Sequence, residues 1–447
     1  MEILSVYKDV KSDFYDQQLR SKNPFRRWFH FNRYRVINSF IKSYYNPGLR
    51  IVDMGAGSCA WNKDRLPVYG VDCNEKLLIF GKDKNRLMQY KVAPLHDTGF
   101  ASNFFDIMVG AEILEHMEDV DIVLQEAYRI LNKNGIFAIS VPYNKKFGLW
   151  NPLFALQIIY HGYIKDNDYY KNRCGHVKYF SPAYLNDALK RNGFEIELQF
   201  TVLKFSIFTI ARKGGGLSQL RSNYSDLTII VPVKNEILNI AEILKDLTQY
   251  YPGAKIIVPD DELTDLTTKA IESISHENKN IEILDRKNEK IKGLTASVLD
   301  AIDQVKTKYF IVTDGYGQHP IKAVNKIYNQ LKINTSLSVV SRVGVSGWCW
   351  NKRLLFSLGS FLGKTILFVR KKRIPVDILS GYFGGETAYW KKVAGNKRNC
   401  FSLAGHKVLF DFLKLRDSEG TFDCVYENFN ARPLDSSKIS CKLNRNI

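Results

Sequence analysis

The chain has 447 residues, too many for one ordinary hydrophobic core, so two or three domains are expected. Hydrophobic residues make up 45% and charged residues 25% of the chain, which excludes a largely disordered protein. The net charge of +18 fits an anionic partner such as nucleic acid, lipid headgroups or a phosphorylated small molecule, and it fits equally well a lysine-rich surface without a dedicated partner.

Cysteine usage and apolar runs restrict the compartment. The seven cysteines are scattered without a C-x-x-C pair, which favours a reducing compartment and argues against a disulfide framework or a structural zinc site. Residues 1–18 contain no apolar run of the kind found in secretory signals. The run Leu354–Val369 is too short to span a bilayer and contains Lys364, so it predicts a buried or interfacial helix. We therefore expect a cytoplasmic protein, with peripheral contact at the inner membrane face if the helix is interfacial.

A glycine-rich segment divides the chain. Three consecutive glycines, Gly214–Gly216, favour neither helix nor strand and stand between two apolar runs. On each side a short apolar strand is followed by a turn and an amphipathic stretch, first at LRIVDMG and again at DLTIIVPVKNE. Alternating strands and helices imply parallel sheets. The sequence thus predicts two Rossmann-like α/β domains, residues 1–213 and 225–447, joined by a linker over residues 214–224.

The first domain begins with a strand that ends in a glycine turn. Arg50–Met54 is rich in β-branched residues and leads into Gly55 and Gly57, which allow a ligand to approach the backbone closely. A second strand, Val68–Val71, ends in Asp72. An acidic residue at the end of the second strand of a Rossmann unit is the expected partner of ribose hydroxyls. The pattern predicts a nucleoside-binding edge.

Three ordered motifs carry a resemblance to a known family. D-M-G-A-G-S and Y-G-V-D are followed by FFDIMVGAEILEHMEDVDIVLQEAYRILNKNGIFAISVP, in which an amphipathic helix is predicted from His116 to Leu131. Residues 45–200 resemble class I S-adenosylmethionine-dependent methyltransferases of the UbiG-like type. The resemblance implies a class I methyltransferase fold with S-adenosylmethionine as cofactor. The implied cofactor-binding residues are Asp53, Gly55 and Gly57, of which the two glycines lie beside the methionine part, together with Asp72 at the ribose, Asp97 near the adenine, and Glu112 and His116 in the turn that closes over the cofactor.

Two features of this half leave alternatives open. Only Ser58–Pro67 separate the glycine turn from the second strand, which is short for the helix usually found there, so a Rossmann fold without methyl transfer is the competing interpretation. His176 follows the aromatic segment Leu149–Tyr170, which resembles an acceptor-recognition insertion. His176 is the candidate general base for an acceptor hydroxyl, and a packed structural histidine is the equal alternative.

The second domain places carboxylates after successive strands. The strand at Leu227–Val231 leads to Pro232 and Glu236, Lys255–Val258 leads to Asp260 and Asp261, and Tyr309–Thr313 leads to Asp314. Because the carboxyl ends of parallel strands meet at one edge of a sheet, these acids form a crescent where ligands bind in open α/β folds.

The second half, residues 225–440, also resembles a known family. The segments IIVPVKNE, KGLTA, DGYGQHP, SGWCWNKRLLFSLGSFLGKTIL, VDILSGYF and GHKVLFDFL are similar to family-2 glycosyltransferases with the GT-A fold, and more narrowly to dolichyl-phosphate mannose or glucose synthases. The resemblance implies a nucleotide-sugar donor of the GDP-mannose or UDP-glucose type and Mg²⁺ or Mn²⁺. The implied residues are Pro232, Glu236, Asp260, Asp261, Arg342, Arg432 and Lys438 at the nucleotide sugar, Asp314 in catalysis, and Asp314 with Gln318 at the metal.

The metal motif departs from the family pattern. Where relatives carry D-x-D, this chain has Asp314-Gly315-Tyr316, so one anionic ligand is missing. Two interpretations follow: an active transferase that relies on Asp314 and Gln318, or a binding module that has lost catalysis. No late acidic pair is placed as a base, which suits a phosphate acceptor because it is already an anion. A polyprenyl phosphate or a glycan is the expected acceptor.

The combined hypothesis is a bifunctional transferase in glycan or glycolipid assembly, which methylates an acceptor and transfers a hexose from a nucleotide sugar. The charge also suggests nucleic-acid methylation, but the chain lacks an asparagine-proline catalytic signature for bases, so a nucleic-acid partner is not expected.

Overall fold

The protein is described from a computed structural model. The chain separates into two compact units, Met1–Gln219 and Leu220–Ile447, which are treated one at a time. The described residues are 7, 10–143, 150–166, 168–171, 175–202, 205–214, 223–233, 237–260, 265–315, 317–345, 350–369, 374–395, 397–416 and 420–430. Most of the predicted linker, residues 215–222, lies outside them.

The first unit is built on a seven-stranded sheet with the order β3-β2-β1-β4-β5-β7-β6. The pairs from β3 to β5 are parallel, and β7 runs antiparallel to both β5 and β6. The carboxyl ends of β1, β2 and β4 therefore share one edge, as the sequence predicts. The strands are β1 Ile51–Met54, β2 Val68–Asp72, β3 Gln89–Val92, β4 Phe105–Ala111, β5 Leu131–Pro142, β6 Phe194–Val202 and β7 Ser206–Lys213.

Helices cover the sheet of the first unit, and one of them differs from the prediction. The amphipathic helix expected from His116 to Leu131 begins later, at Val120, because Asp119 caps it by accepting from the backbone N–H groups of Asp121 and Ile122. A short 3₁₀ turn, Leu114–His116, precedes it. The α-helices are α1 Phe14–Leu19, α2 Pro24–Tyr44, α3 Glu75–Asp83, α4 Val120–Ile130, α5 Trp150–Gln157, α6 Asp168–Lys171 and α7 Pro182–Arg191, with a π-helix at Ile158–Ile164.

The second unit also has a seven-stranded sheet, with the order β10-β9-β8-β11-β13-β12-β14. The strands β10, β9, β8 and β11 are mutually parallel, whereas β13 runs antiparallel between β11 and β12. The strands are β8 Leu227–Ile230, β9 Lys255–Asp260, β10 Ile281–Asp285, β11 Tyr309–Val312, β12 Leu337–Val345, β13 Phe383–Glu386 and β14 Phe422–Phe429.

Both faces of this second sheet are buried, as expected for near-continuous apolar strands. Along β11, Tyr309 and Ile311 enter one hydrophobic cluster while Phe310 and Val312 enter the other, which follows the two-residue period of a strand. The indole of Trp390 stacks on the ring of Phe412 with 3.8 Å between the ring centres in the second cluster. The helices are α8 Ile237–Tyr250, α9 Asp265–Glu277, α10 Leu294–Gln304, α11 Ala323–Lys332, α12 Trp350–Val369, α13 Thr387–Ala394 and α14 Val408–Leu415.

Helix α12 contains the predicted apolar run and leaves much of it exposed. Leu367 is buried against the core of the second unit, whereas the side chains of Phe361 and Phe368 are 68% and 75% exposed. A fully buried helix is therefore the wrong alternative, because eight large apolar side chains of this helix are exposed. No helix in the described part of the chain is long and apolar enough to cross a membrane. The exposed apolar side chains of α12 are Leu354, Leu355, Leu358, Phe361, Leu362, Ile366, Phe368 and Val369.

Candidate active sites

The first unit contains a cavity of about 940 Å³ at the carboxyl edge of its sheet. Residues of β1, β2 and β4 and the turns that follow them form its floor, which is where ligands bind in open α/β sheets. Six of the seven predicted cofactor-binding residues can be located directly around this floor. Asp53, Gly55, Asp72, Glu112 and His116 line the cavity, and Gly57 adjoins it through a hydrogen bond to Asp72.

The glycine turn has the close packing that its residue types predict. Gly55 and Gly57 have φ angles of +74° and +47°, which residues with a side chain rarely adopt. A Cβ atom on Gly55 would come within 2.6 Å of the Ile113 side chain, and one on Gly57 within 2.6 Å of the Tyr15 ring. The backbone can reach this position only without side chains. The loop Ser58–Pro67 contains no helix, and the Asn62 amide stabilises it by donating to the carbonyls of Leu66 and Arg86.

Asp72 lies buried at the end of β2 and is held by three donors. Its carboxylate accepts hydrogen bonds from Gly57 N at 2.8 Å, Asn74 N at 2.9 Å and the Tyr7 hydroxyl at 3.1 Å. Burial raises the pKa of Asp72, and the bonds from Asn74, Gly57 and Tyr7 oppose that rise. The three donors fix the carboxylate in a single orientation at the wall of the cavity, which suits it to receive hydroxyl donors from a ribose.

Asp53, the third residue of β1, accepts fewer hydrogen bonds than Asp72, so the cost of burying its charge is offset less. Its carboxylate accepts from the indole Nε1 of Trp61 at 2.7 Å. Burial, with a smaller contribution from the negative charge of Asp72, raises its pKa from 3.8 to about 7, although the bonds from Trp61 and Cys59 act in the other direction. The folded protein therefore holds a proton on Asp53 at pH values where the unfolded chain has lost it.

We expect Asp53→Asn to stabilise the first unit at high pH. Because the pKa is raised on folding, the unfolding free energy of the parent falls as pH rises from about 4 to about 7, on the order of 2–4 kcal/mol in total. An asparagine at position 53 can still accept a hydrogen bond from Trp61. Because asparagine does not ionise, the variant should not show this decrease in unfolding free energy with rising pH. Native-state hydrogen exchange of the β1 and β4 amides at pH 4 and pH 8 measures the difference. The exposed Asp83→Asn is the control, and an unchanged pH slope in Asp53→Asn would contradict the assignment.

The turn after β4 brings charged groups into the cavity. Glu112 has a φ of +57°, and its carboxylate contacts Arg33 at 3.4 Å and accepts from the Ser140 hydroxyl at 2.9 Å. The Nδ1 atom of His116 lies 3.0 Å from the carbonyl oxygen of Gly175. Since a carbonyl can only accept, Nδ1 of His116 is the protonated nitrogen, and burial lowers the pKa of the ring. These contacts position both predicted residues at the rim of the glycine turn.

His176 also lines the cavity, and it is well packed there. Its ring stacks on Phe154 at 5.3 Å between ring centres and meets the edge of the His116 ring at 5.0 Å. Both interpretations of His176 therefore find a structural basis, because it packs against an aromatic wall and faces the site. The side chain of Asp97 is exposed and lies outside the cavity, whose wall at this point is formed by Leu95 and His96. The role of Asp97 near the adenine stays a prediction.

Sequence reasoning missed the part of the cavity wall that precedes the first strand. Arg33 and Tyr34 come from α2, Tyr7 and Tyr15 from the segment before it, and all four line the cavity. Arg33 is buried, and the positive charge of its guanidinium is paired with Glu112. Arg33 lies in a helix with several other basic residues, so no sequence signal singled it out, and its partner Glu112 lies 79 positions away along the chain, as the residue numbers show.

In the second unit, Asp260 is the last residue of β9 and Asp314 lies two residues after the end of β11, and these two strands flank β8. Asp260 is buried, with Lys287 Nζ 3.6 Å from its carboxylate. The Asp314 carboxylate accepts from His319 N at 3.3 Å, and its own backbone N–H donates to His319 Nδ1 at 2.9 Å. His319 stacks on Tyr382 at 4.5 Å. Asp314 and His319 are thus held together after the carboxyl end of β11.

Three of the other predicted residues of this unit, Pro232, Gln318 and Arg342, lie in the described part of the chain. Pro232 is buried directly after β8, and Gln318 is bonded through its backbone carbonyl to Asn430 N at 3.0 Å. Arg342 forms a two-point ion pair with Asp377, through Nε at 2.6 Å and Nη2 at 2.9 Å, so its charge is balanced inside the unit. Its role at a phosphate stays a prediction. Glu236, Asp261, Tyr316, Arg432 and Lys438 lie outside the described residues.

Asp314 supplies one carboxylate at this edge, and Mg²⁺ commonly binds one or two carboxylates together with phosphate oxygens and water. The Gln318 side chain donates through Nε2 to the carbonyl oxygen of Asn430 at 3.4 Å, and its role as a metal ligand stays a prediction. Within the described part of this unit no three His, Cys, Asp or Glu side chains converge as a metal site. A cation there would depend on the substrate for its remaining ligands.

Family comparisons agree with this division. The family description "Methyltransferase domain" matches residues 52–139, and "Glycosyl transferase family 2" matches residues 228–394. The chain is a transferase that joins a methyltransferase domain to a family-2 glycosyltransferase domain, so both resemblances inferred from the sequence are confirmed.

Individual relatives match one half each. The dolichol-phosphate mannosyltransferase of Saccharomyces cerevisiae is 26% identical over 234 residues, 49% of this chain and 82% of the relative. The dolichol-phosphate mannosyltransferase of Pyrococcus furiosus is 25% identical over 225 residues, 48% of this chain and 60% of that protein. The ubiquinone biosynthesis O-methyltransferase of Pelagibacter ubique is 32% identical over 136 residues, 27% of this chain and 54% of that protein. The chain thus spans little more than half of the last two relatives.

Proposed function

We propose that the protein methylates a hydroxyl of a glycan or lipid-linked acceptor and transfers a hexose from a nucleotide sugar to a polyprenyl phosphate. The observation that carries this proposal is the pair of carboxylates, Asp72 and Asp314, each held at the carboxyl edge of a parallel sheet in its own unit. The domain matches and the relatives support the same two reactions. The sugar, the acceptors and the order of the two steps are part of the proposal.

In the methyltransferase unit, the residues around the cavity fit S-adenosylmethionine. Gly55 and Gly57 leave room beside the backbone, and Asp72 is oriented toward hydroxyl donors. When bound, the cofactor supplies an electrophilic methyl group. The protein's task is then to align the acceptor and to assist the loss of its proton. Glu115, His116 and His176 are the groups at the cavity that suit this task.

In the glycosyltransferase unit, Asp314 and Gln318 would hold a divalent cation against the diphosphate of the donor. Such a cation stabilises the negative charge that develops on the leaving nucleotide. A phosphate acceptor attacks as an anion and needs no base from the protein.

Helix α12 supports a lipid acceptor. Eight large apolar side chains stand exposed on it, and an apolar face of this kind binds at the boundary between headgroups and acyl chains. The basic residues Lys371, Lys372 and Arg373, predicted to flank it, lie outside the described residues. We therefore propose peripheral binding to an anionic membrane through α12, which would bring the glycosyltransferase unit to a membrane-embedded phosphate.

A transfer assay with the acceptor in vesicles tests this proposal. We expect hexose transfer from a nucleotide-sugar panel to polyprenyl phosphate in anionic vesicles, and at least about a tenfold loss when Phe361 and Leu362 are both changed to serine, because apolar burial in the interface is lost. Transfer to a short, water-soluble prenyl phosphate should be unaffected in that variant. Ile291→Ser removes one exposed apolar side chain elsewhere in the unit and serves as the control. Equal transfer by all variants in vesicles would disprove the role of α12.

A second candidate function follows from the metal motif. Tyr316 replaces the second acid of D-x-D, and Arg342 is balanced by Asp377. Both observations favour a methyltransferase fused to a glycosyltransferase-like module that binds a nucleotide or glycan without turning it over.

A further inference from the structure

One part of the methyltransferase cavity has a basic lining that the proposed methyl transfer does not use. Arg26 and His30 of α2 and His161 of the π-helix all line the cavity. The carboxylates that line the same cavity come from other elements, namely β1, β2 and the segment 112–119. We propose that Arg26, His30 and His161 form a subsite that binds a phosphate or carboxylate group of the methyl acceptor. This anion subsite rests on the proposed methyl transfer and makes the acceptor of that reaction an anion.

The Arg26 guanidinium is the main charge of the anion subsite. Its Nη2 atom donates to the Tyr170 hydroxyl at 2.8 Å, and its central carbon lies 5.5 Å from the centre of the Tyr170 ring. No carboxylate of the described residues forms an ion pair with Arg26. A guanidinium offers further N–H donors in one plane, a geometry that suits phosphate and carboxylate. Because a half-buried charge is normally paired, Arg26 favours an anionic ligand.

His30 adds a hydrogen-bond donor on the same face of α2. Its Nδ1 atom lies 3.3 Å from Nη2 of Arg33, and because a guanidinium can only donate, Nδ1 is the acceptor in this contact. The proton of the neutral ring is therefore on Nε2, which has no hydrogen-bond partner in the part of the chain that the structure describes. His30 follows Arg26 by four positions on the helix, so the two side chains are neighbours. Both can donate to one anion.

Tyr170 connects Arg26 with the third member of the subsite. The His161 ring stacks on the Tyr170 ring with 4.9 Å between the ring centres, and its nitrogens have no hydrogen-bond partner among the described residues. Gly162 packs closely behind it, since a Cβ atom there would lie 3.0 Å from the backbone nitrogen of Lys171. The π-helix is thereby fixed against α6. Helical turns of this type are rare and occur frequently at functional sites.

The charges that act on both histidines have one sign. Burial lowers the pKa of His30, and the positive charges of Arg33 and Arg26 lower it further. Burial and the charges of Arg26 and Lys165 lower the pKa of His161 in the same way. No carboxylate of the described residues contributes to either shift. A cavity wall with one sign of charge attracts ligands of the opposite sign, and a bound anion would relieve the repulsion among these groups.

S-adenosylmethionine also carries a carboxylate, so an anion in this cavity has two sources. Arg33 of α2 reaches the predicted cofactor edge, because it pairs with Glu112 in the turn after β4. Arg26 precedes Arg33 by seven positions, which is about 10 Å along the helix axis. Its partner Tyr170 belongs to the aromatic segment that resembles an acceptor-recognition insertion. The acceptor is therefore the favoured source of the anion.

Phenyl phosphate, benzoate and phenol are suitable probes, because Phe29 and Phe154 give the same cavity an aromatic wall. In calorimetric titrations of the full chain saturated with S-adenosylhomocysteine, we expect both anions to bind at least about tenfold more tightly than phenol. Arg26→Met should weaken binding of the two anions by at least about tenfold and leave that of phenol unchanged, since it removes a charged hydrogen bond and keeps an apolar side chain. Arg27→Met, at an exposed position outside the cavity, should bind as the parent does.

Two further variants separate the charge of Arg26 from its packing. Tyr170→Phe removes the hydroxyl that Arg26 contacts and keeps the ring on which His161 stacks, so it should lose less anion affinity than Arg26→Met. His161→Phe keeps the stacking but has no ring nitrogens, and it should weaken binding of both anions without a change for phenol. An equal loss in Tyr170→Phe and Arg26→Met, or unchanged anion affinity in His161→Phe, would overturn the proposal.

Comparison of S-adenosylhomocysteine with methylthioadenosine, which lacks the amino-acid part, separates the two sources of the anion. We expect Arg26→Met to bind both as the parent does, which also shows that the unit is folded. A loss for S-adenosylhomocysteine alone would overturn the proposal, because the cofactor carboxylate would then occupy the subsite. Methyl transfer to an anionic acceptor with unchanged KM in Arg26→Met would also overturn it and leave the proposed function standing. Anion binding that depends on Arg26, in a protein that transfers no methyl group, would support the subsite while the proposed function fails.

Discussion

Replacement of Asp72 by alanine is expected to weaken binding of S-adenosylhomocysteine by at least about 100-fold. A carboxylate that accepts from two ribose hydroxyls makes two charged hydrogen bonds, each worth about 1.5–3 kcal/mol. The same carboxylate holds the backbone N–H groups of Gly57 and Asn74, so its removal also loosens the glycine turn. Titration calorimetry of the full chain measures the loss.

Gly55→Val should have an effect at least as large, for a different reason. A Cβ at this position meets the Ile113 side chain at 2.6 Å, and the two further methyl groups of valine would extend into the space next to the turn. Gly48→Val is a matched control. Gly48 also has a positive φ, +99°, but its Cβ would meet nothing within 4 Å, so this variant shares the backbone strain without the collision.

These two variants decide where the cofactor binds. If Asp72→Ala and Gly55→Val both bind S-adenosylhomocysteine within twofold of the parent, the cavity of the first unit is not the cofactor site. If Gly48→Val loses affinity as Gly55→Val does, the effect is one of folding and carries no information on the pocket. Asp72→Asn adds a finer test, because it keeps the shape but removes the charge that strengthens both hydrogen bonds.

The second large effect is expected for Asp314→Asn, which should lower hexose transfer by about 100- to 1000-fold and abolish its dependence on Mg²⁺ or Mn²⁺. Asparagine can still accept from His319 N, so the fold of the turn is preserved. What is lost is the negative charge that binds the cation. Asp246→Asn, at a half-buried position in the second half of α8, removes one carboxylate of the same unit and should transfer as the parent does.

Tyr316→Asp separates the two functions proposed for the second unit. It restores the D-x-D pattern, and an added carboxylate strengthens a site that has too few anionic ligands. An active parent that loses transfer in Asp314→Asn supports the transferase. A parent that binds the nucleotide sugar without turnover, while Tyr316→Asp gains transfer, would identify a binding module that has lost catalysis through this one residue.

Much of the fold and part of each candidate site could be predicted from local sequence patterns. Asp53 and Asp72 lie on strands of the first sheet and Asp314 follows a strand of the second, and all three strands are short apolar runs followed by turns. Within each sheet, parallel pairing brings the carboxyl ends of the strands to one edge. The position of each acid relative to its sheet was therefore predictable. The glycine turn was predictable too, because a positive φ next to a ligand-binding edge favours glycine.

Contacts between distant segments were not predictable in this way. Arg33 pairs with Glu112, and Arg342 with Asp377, through side chains that no local pattern connects. The convergence of Glu115 with His176 depends on backbone hydrogen bonds between two separate turns. The resemblance implies Asp97 near the adenine, and this role stays a prediction because the side chain of Asp97, in the turn that starts at Pro94, is exposed and outside the cavity wall.

The wall that residues 7–44 give to the cavity has a consequence for protein engineering. The region recognisable as a methyltransferase begins at residue 52, whereas Tyr7, Tyr15 and Arg33 belong to the segment before it. A graft of the recognisable region onto another protein would carry the glycine turn and Asp72 but would leave the cavity open on one side and Glu112 without its arginine. The smallest transplantable methyltransferase module therefore starts before its first recognisable strand.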